Sequence, residues 1–178
     1  MMAFCFSLFA LAVVAAGRAP EIGVGERLPE LRGEFLTGRP VVLPQAAQGR
    51  VALLLLGFTY KSRFAVEAWA KRFRMEFPSD PRLTFFEAPM IGGAARLAKW
   101  FIDSGMRRGT PKSDYEHVIT VYTDTRAWKQ RVRYTNPDAA YLILIDRMGK
   151  IAWLHQGAFD DAAFRTLALK ISQLVGVE

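Results

Sequence analysis

Length, composition and charge set the first limits on this sequence. The chain has 178 residues, of which 51% are hydrophobic and 23% are charged. This balance supplies enough apolar material for one folded domain and excludes an intrinsically disordered chain. Lysines and arginines outnumber acids by 24 to 17, which gives a formal net charge of +7. A basic excess of this size favours anionic lipid, nucleic acid or an acidic partner, and charge alone does not choose among them.

An apolar run, Met1–Ala16, opens the chain. It is shorter than the about 20 residues that a membrane-spanning helix needs. It ends in small residues around Ala15 and Gly17, as the apolar region of a secretory signal does. We therefore predict a signal peptide or N-terminal anchor over residues 1–17 and a single domain over residues 18–178. Such a protein is exported to the periplasm or the extracellular space, and an uncleaved leader would anchor it in the membrane.

The cysteine inventory restricts the chemistry. The sequence contains one cysteine, Cys5, inside the apolar leader. Cleavage of the leader would leave a chain without a thiol, and retention would hold Cys5 at a membrane. Both outcomes exclude a disulfide framework, a zinc-thiolate site and a nucleophilic cysteine in the folded domain.

Strands and helices alternate from residue 18 onward. Residues 18–50 predict an N-terminal extension rich in Gly and Pro, with a short strand at Val41–Leu43. The run Val51–Gly57 is continuously apolar, which is typical of a strand buried on both faces. Apolar residues then recur at spacings of three and four over Ser62–Phe77, which predicts a helix that ends before Pro78.

The middle of the chain repeats this alternation. Leu83–Ala88 predicts a second core strand, Ala94–Ser104 predicts a helix, and Gly105–Ser113 predicts a polar, basic loop. In this second helix the apolar residues are expected to face inward and the charged residues to face solvent. The inward set is Leu97, Trp100 and Phe101, and the outward set is Arg96, Lys99 and Asp103.

The last third of the chain predicts three more strands and two helices. The strands are His117–Tyr122, Tyr141–Asp146 and Lys150–His155, and the last two form a hairpin around a turn at Arg147–Gly149. A short helix is predicted over Asp124–Val132. The final helix has Asp160 as its N-cap and Gly176 as its stop. Its inward-facing residues are predicted to be Phe164, Leu167, Ile171 and Leu174.

The element order β-α-β-α-β-α-β-β-α indicates an α/β protein with a mixed central sheet and helices on both faces. A doubly wound nucleotide-binding fold is the competitor. No glycine-rich phosphate loop follows a strand, and the segment FTYKSRF after the first core strand cannot hold a pyrophosphate. We therefore predict a thioredoxin-like three-layer sandwich with a mixed central sheet and an N-terminal extension.

The first third of this domain resembles a known superfamily. The segment GERLPELRGEFLTGRPVVLPQAAQGRVALLLLGFTY resembles the opening of peroxiredoxin and Sco-type copper-chaperone domains. In those families a reactive cysteine pair follows the strand, and the resemblance places Lys61 and Ala65 at the two Sco positions. The histidine that such copper carriers use is also missing from the segment YTNPDAAYLILID. The resemblance thus implies the fold without the thiol pair or the copper site.

The second half, residues 82–175, resembles the mitochondrial ATP synthase assembly factor family, which includes the yeast ATPase-complex assembly protein ten. The matching segment is YLILIDRMGKIAWLHQGAFDDAAFRTL, preceded by HVITVYTD and a short helix. Members of that family are thioredoxin-like, lack the redox pair and help build the membrane sector of the ATP synthase. The resemblance implies a redox-inactive assembly factor or chaperone.

Other catalytic and metal sites find little support in the sequence. His117 opens a strand and His155 closes one, without acidic or thiol partners at ligand spacing, whereas a metal site needs about three or four ligands. No G-x-S-x-G elbow is present for a hydrolase. The adjacent Asp160 and Asp161 are explained by helix capping. We predict no cofactor and no metal.

The basic residues raise the question of nucleic acid. Trp69, Trp100 and Trp128 interleave with them, as on base-stacking surfaces, but helical spacing favours a core position for the first two. An exported protein rarely meets nucleic acid, so we do not expect it as a partner. Attraction to an anionic membrane or to an acidic client suits the predicted basic loop better.

We hypothesise that the chain is not an enzyme but a non-catalytic thioredoxin-like protein that binds a membrane-associated polypeptide as an assembly factor or chaperone. The expected contact residues lie at the position of the missing thiol pair and in the loop facing it: Tyr60, Lys61, Arg63, Asn136 and Pro137. Thioredoxin-like folds often hold a cis proline near Pro137, although a turn at Asn136 also accounts for it. The alternatives are a peroxiredoxin-like or oxidoreductase relative working without its own cysteine, and a Sco-like copper-binding protein.

Overall fold

A computed structural model describes residues 18–176 of the chain, so the leader predicted over residues 1–17 lies outside the described residues. The strands are β1 (Leu31–Phe35), β2 (Pro40–Leu43), β3 (Val51–Gly57), β4 (Leu83–Pro89), β5 (Ile119–Thr120), β6 (Ala140–Ile145) and β7 (Ile151–Gly157). The helices are α1 (Ser62–Glu76), α2 (Lys99–Gly109), α3 (Thr125–Arg131) and α4 (Asp161–Gly176). None of the helices in this range combines the length and apolarity that crossing a bilayer requires.

Strand β3 lies at the centre of the sheet. It pairs in parallel with β4 and antiparallel with β6, and β6 pairs antiparallel with β7. Alternate residues of β3 enter different apolar clusters: Leu54 and Leu56 belong to one, and Leu53 and Leu55 to the other. Because both faces of β3 are covered, every position in it must be apolar. The prediction of a doubly buried strand is confirmed.

The helices α1 and α4 cover one face of this sheet. Trp69 and Phe73 of α1 pack there with Phe164 and Leu167 of α4. The final helix begins as predicted, since the Asp160 side chain accepts a hydrogen bond from the Ala163 N–H at 2.7 Å. Its inward positions also follow the prediction, except that Val175 is buried and Leu174 only half-buried.

The predicted N-terminal extension is part of the sheet. Strand β1 pairs antiparallel with β2 and also with β5, and single bridges, Glu87 to Val118 and Met90 to Val121, join the β5 segment in parallel to β4. The strand order is therefore β2-β1-β5 joined to β4-β3-β6-β7. The sequence predicted β2 but missed β1, because its five residues, LRGEF, lack clear alternation.

The predicted hairpin between β6 and β7 is confirmed. Its turn is held by the Asp146 carboxylate, which accepts hydrogen bonds from the N–H groups of Met148 at 2.9 Å and Lys150 at 2.8 Å. Gly149 supplies the positive φ of 82° that the turn needs. The hairpin places the cap and start of α4 directly after β7.

Helix α2 differs from the prediction in four of its six assigned residues, whereas Arg96 is exposed as predicted and Lys99 is half-buried. Leu97, Trp100 and Phe101, expected in the core, are 93%, 80% and 67% exposed, while Asp103, expected at the surface, is 4% exposed. Trp100 is therefore not a core residue, whereas Trp69 and Trp128 are buried. The helix also extends to Gly109, through part of the segment predicted as a basic loop.

Polar contacts on the inner side explain this orientation. The Tyr122 hydroxyl donates a hydrogen bond to the Asp103 carboxylate at 2.6 Å. The Lys99 ammonium lies 2.6 Å from the same carboxylate and 3.0 Å from the Glu34 carboxylate. These partners satisfy the Asp103 carboxylate in its buried position, so the side of α2 that carries Asp103 can face the sheet without an unpaired buried charge.

Candidate functional site

An open groove of about 760 Å³ lies where β3 ends and α1 begins. Three elements line it. The α1 side contributes Tyr60, Arg63, Val66 and Glu67; the β4 side contributes Glu87, Pro89 and Met90; the α2 side contributes Phe101, Ile102 and Met106. The groove is mostly apolar at its walls and carries a small number of charged groups, as ligand sites commonly do.

A tight turn joins β3 to α1 at one end of the groove. The Ser62 N–H donates to the Thr59 hydroxyl at 3.1 Å, and the Thr59 N–H donates to the Ser62 hydroxyl at 3.1 Å. These reciprocal bonds satisfy backbone donors at the start of α1. A Cβ atom on Gly57 would lie 2.9 Å from the Ser62 hydroxyl oxygen, so the close approach requires glycine. The turn leaves Tyr60 projecting into solvent.

The loop through Asn136 and Pro137 lies against this turn. The Thr59 hydroxyl donates a hydrogen bond to the Pro137 carbonyl oxygen at 2.7 Å. The Asn136 side chain accepts from the Asp138 N–H at 2.9 Å, which confirms the predicted turn. The buried Tyr141 hydroxyl fixes the loop from below by donating to the Asn136 carbonyl at 3.1 Å. Within the described range the cis peptide bond is Leu43–Pro44, not the bond before Pro137.

The structure brings the predicted site residues together but gives them unequal positions. Tyr60 and Arg63 line the groove, and the Arg63 guanidinium lies 4.2 Å from the centre of the Tyr60 ring. Lys61, Asn136 and Pro137 are exposed beside it and do not line it. The contact role of all five remains a prediction.

Glu87 is the groove residue that the sequence did not single out. Its side chain is 17% exposed and lies 3.7 Å from the guanidinium of Arg74, which also pairs with Asp114 at 3.4 Å. Burial raises the pKa of Glu87 to about 7; Arg74 opposes this shift, and the carboxylates of Glu67 and Asp114 add to it. The signal available in the sequence was a single charged residue, Glu87, within the strand LTFFEAP.

The two histidines lie outside the groove lining. The His117 ring stacks on Phe85 with centroids 4.4 Å apart, and His155 packs between Trp153 and Trp69. Burial lowers the pKa of His155, and Asp160 opposes that shift. Over residues 18–176, no group of three or more His, Cys, Asp and Glu side chains is arranged to hold a metal ion.

No family model and no curated protein matches the sequence, whereas solved structures do. The thioredoxin domain of a thiol-disulfide oxidoreductase from Bacteroides vulgatus aligns with a TM-score of 0.61 and 18% identity, over 85% of this chain and 99% of that one. A thiol peroxidase from Chromobacterium violaceum aligns with a TM-score of 0.55 and 15% identity, over 85% and 89%. The fold is thioredoxin-like. A member of the Sco family of cytochrome c oxidase assembly proteins also aligns, with a TM-score of 0.58 and 11% identity over 89% and 98%.

These comparisons confirm the predicted thioredoxin-like fold. They give no support to the resemblance to the ATP synthase assembly factors. The oxidoreductase, peroxiredoxin-like and Sco-like alternatives agree better with the neighbours than the assembly-factor hypothesis does.

The prediction that the chain is not an enzyme is contradicted by its structural neighbours. They include thiol-disulfide oxidoreductases and thiol peroxidases, which are enzymes. That prediction depended on the cysteine count, which bears only on catalysis by a thiol of this chain. It took no account of the thioredoxin-like groove or of the buried carboxyl group of Glu87 inside it.

Proposed function

We propose that the protein is an exported oxidoreductase relative that binds a polypeptide in the groove and assists thiol–disulfide exchange between cysteines carried by that polypeptide. The observation on which the proposal rests is the position of Glu87, a mostly buried carboxyl group that lines an open groove at the start of α1. Groups with pKa values displaced toward neutrality inside clefts are frequent proton donors and acceptors.

The groove walls suit a polypeptide ligand. Tyr60 on one wall and Phe101 on the other are both largely exposed, so each can cover an apolar side chain of a bound segment. The hydrogen bond from Thr59 to Pro137 holds the turn at the mouth in one position. A groove of about 760 Å³ accommodates a few residues of extended chain.

The chemistry uses sulfur atoms of the bound polypeptide, because the sequence from residue 18 onward contains no cysteine. A client thiol transfers its proton to the Glu87 carboxylate, and the resulting thiolate attacks a sulfur of a client disulfide. A new S–S bond forms as the old one breaks, and the departing thiolate recovers the proton from Glu87. The exchange needs no net oxidant or reductant, and an oxidising export compartment supplies such disulfide-bearing clients.

Reactivation of scrambled ribonuclease, with a trace of free thiol, tests this proposal. The full chain is expected to accelerate recovery of ribonuclease activity, and Glu87→Gln is expected to lower that acceleration by about 100-fold or more, since general acid–base catalysis typically contributes about 10²–10⁴-fold. Glu116→Gln is the matched control, because Glu116 is an exposed carboxylate paired with Arg39 at 3.0 Å. It should behave as the unaltered protein.

A Cys5→Ser variant decides the source of the sulfur. Unchanged acceleration by Cys5→Ser supports exchange between the client's own cysteines. Loss of activity in that variant, or an unaltered chain no faster than buffer, would refute the proposal. Hydrogen peroxide consumption by the same proteins provides the separate measurement for a peroxidase activity, which the thiol peroxidase neighbour motivates.

A further inference from the structure

Helix α2 and the turn before it expose an apolar patch, of which Phe101 also lines the groove. We define the α2 face as Leu97, Trp100 and Phe101 together with the neighbouring Arg96 and Arg108. The three apolar side chains are at least two-thirds exposed and follow one another at spacings of three and one along the helix and its preceding turn. Clusters of large exposed apolar residues mark interaction sites, whereas single ones do not.

The orientation of this face is fixed from inside. Asp103, three residues after Trp100 on α2, is buried and bonded to both Tyr122 and Lys99. Rolling α2 about its axis would move the Asp103 carboxylate away from the Tyr122 hydroxyl and the Lys99 ammonium away from the Glu34 carboxylate. The apolar patch is therefore a stable feature of the folded chain, since the buried polar pair opposes the alternative packing.

The cations of the α2 face lack anionic partners in the described part of the chain. Arg96 forms no hydrogen bond or ion pair with residues 18–176, and Arg108 bonds only to the Ser104 hydroxyl, at 3.0 Å. From Met90 to Lys112 the sequence has five basic residues and one acid, which is the inward-facing Asp103. The surface around the patch is thus positively charged, in line with the net charge of +7.

We infer that the α2 face docks on an anionic membrane surface. The headgroup region of such a bilayer offers an apolar phase beside a layer of negative phosphate, which complements Leu97, Trp100 and Phe101 flanked by the cations of Arg96 and Arg108. Tryptophan in particular favours this boundary. The inference does not depend on the proposed thiol–disulfide exchange, because it does not use Glu87; Phe101 is the residue of the α2 face that also lines the groove.

Tryptophan fluorescence with lipid vesicles tests docking at a defined residue. Trp69 and Trp128 are buried and Trp153 is half-buried, so Trp100 is the tryptophan of residues 18–176 most open to lipid. Phosphatidylglycerol vesicles with brominated acyl chains should quench the emission of the full chain, and Trp100→Phe should lose that quenching. Phosphatidylcholine vesicles should quench far less. Arg96→Gln and Arg108→Gln should each weaken phosphatidylglycerol binding about fivefold.

Controls separate this face from the apolar leader, which every variant keeps. Met75→Ala and Leu169→Ala remove exposed apolar side chains elsewhere and should bind vesicles as the unaltered protein does. The inference is overturned if Trp100 emission is not quenched by phosphatidylglycerol vesicles, or if both lipids quench it equally. Shielding of Trp100 by unfolded ribonuclease but not by vesicles would also overturn it, in favour of a protein partner.

Discussion

Glu87 carries a proton through a pH range in which exposed carboxylates do not. Its pKa rises from 4.5 to about 7 on folding, mainly because of burial. Between these values the folded chain holds a proton that the unfolded chain has released, so folding stability is highest at the acidic end and falls as the pH rises through 7. The contribution is on the order of 2–3 kcal/mol, reduced by its partial exposure.

We expect Glu87→Gln to remove this dependence. The variant should match the unaltered protein at pH 4.5 and exceed its free energy of unfolding by about 1–3 kcal/mol at pH 8, because glutamine has no charge to bury. Urea unfolding at both pH values measures the difference. Equal loss of stability in the two proteins between pH 4.5 and 8 would show that folding does not raise the pKa of Glu87.

At the scale of elements, the close contact of β1 with β5 controls how the N-terminal hairpin joins the sheet. A Cβ atom on Gly33 would lie 2.7 Å from the backbone oxygen of Thr120 and 2.5 Å from a methyl of Ile119. We expect Gly33→Ala to lower the free energy of unfolding by about 1–3 kcal/mol, as overpacking usually does. Thermal unfolding checks this, with Gly109→Ala as control because open space surrounds that position. An equal effect of the two substitutions would contradict the expected clash.

The elements also show what the sequence pattern can and cannot specify. The strand β3 and the helix α1 were predictable because burial on two faces, or along one stripe, leaves a direct periodic trace. The spacing of apolar residues revealed an apolar stripe along α2, but it did not reveal which side of the helix is buried. That depends on Tyr122 and Glu34, which lie 19 and 65 residues from their partners on α2. Strand β1 shows no clear alternation of apolar and polar residues, because its extended conformation depends on pairing with β2 and β5.

At the scale of the whole molecule, the groove and the α2 face adjoin at Phe101. We expect Tyr60→Ala to weaken ribonuclease reactivation alone, Trp100→Ala to weaken vesicle binding alone, and Phe101→Ala to weaken both. Each loss should be about 5–50-fold, as expected for removing an exposed aromatic contact that is buried on binding. The two assays described above measure these effects. Equal responses of all three variants in both assays would show that one surface serves both ligands.

The sequence predicted where the candidate site lies, but it did not predict all of the residues that line it. Placing the end of β3 before the start of α1 was enough to predict Tyr60 and Arg63 at the groove, since the turn between them is local. Glu87 was not predicted, because a residue within a core strand gives no local sign that its side chain reaches a cleft. Its neighbours Arg74 and Asp114 come from distant parts of the chain.

The inward hydrogen bonds of Asp103 have a practical consequence for handling the protein. Since the bond that Asp103 accepts from Tyr122, and not Leu97 or Trp100, ties α2 to the sheet, both outer side chains can be exchanged for lysine or glutamate without disturbing the folded interior. Such a chain should self-associate less at high concentration, which would favour crystal growth and narrow spectral lines in solution.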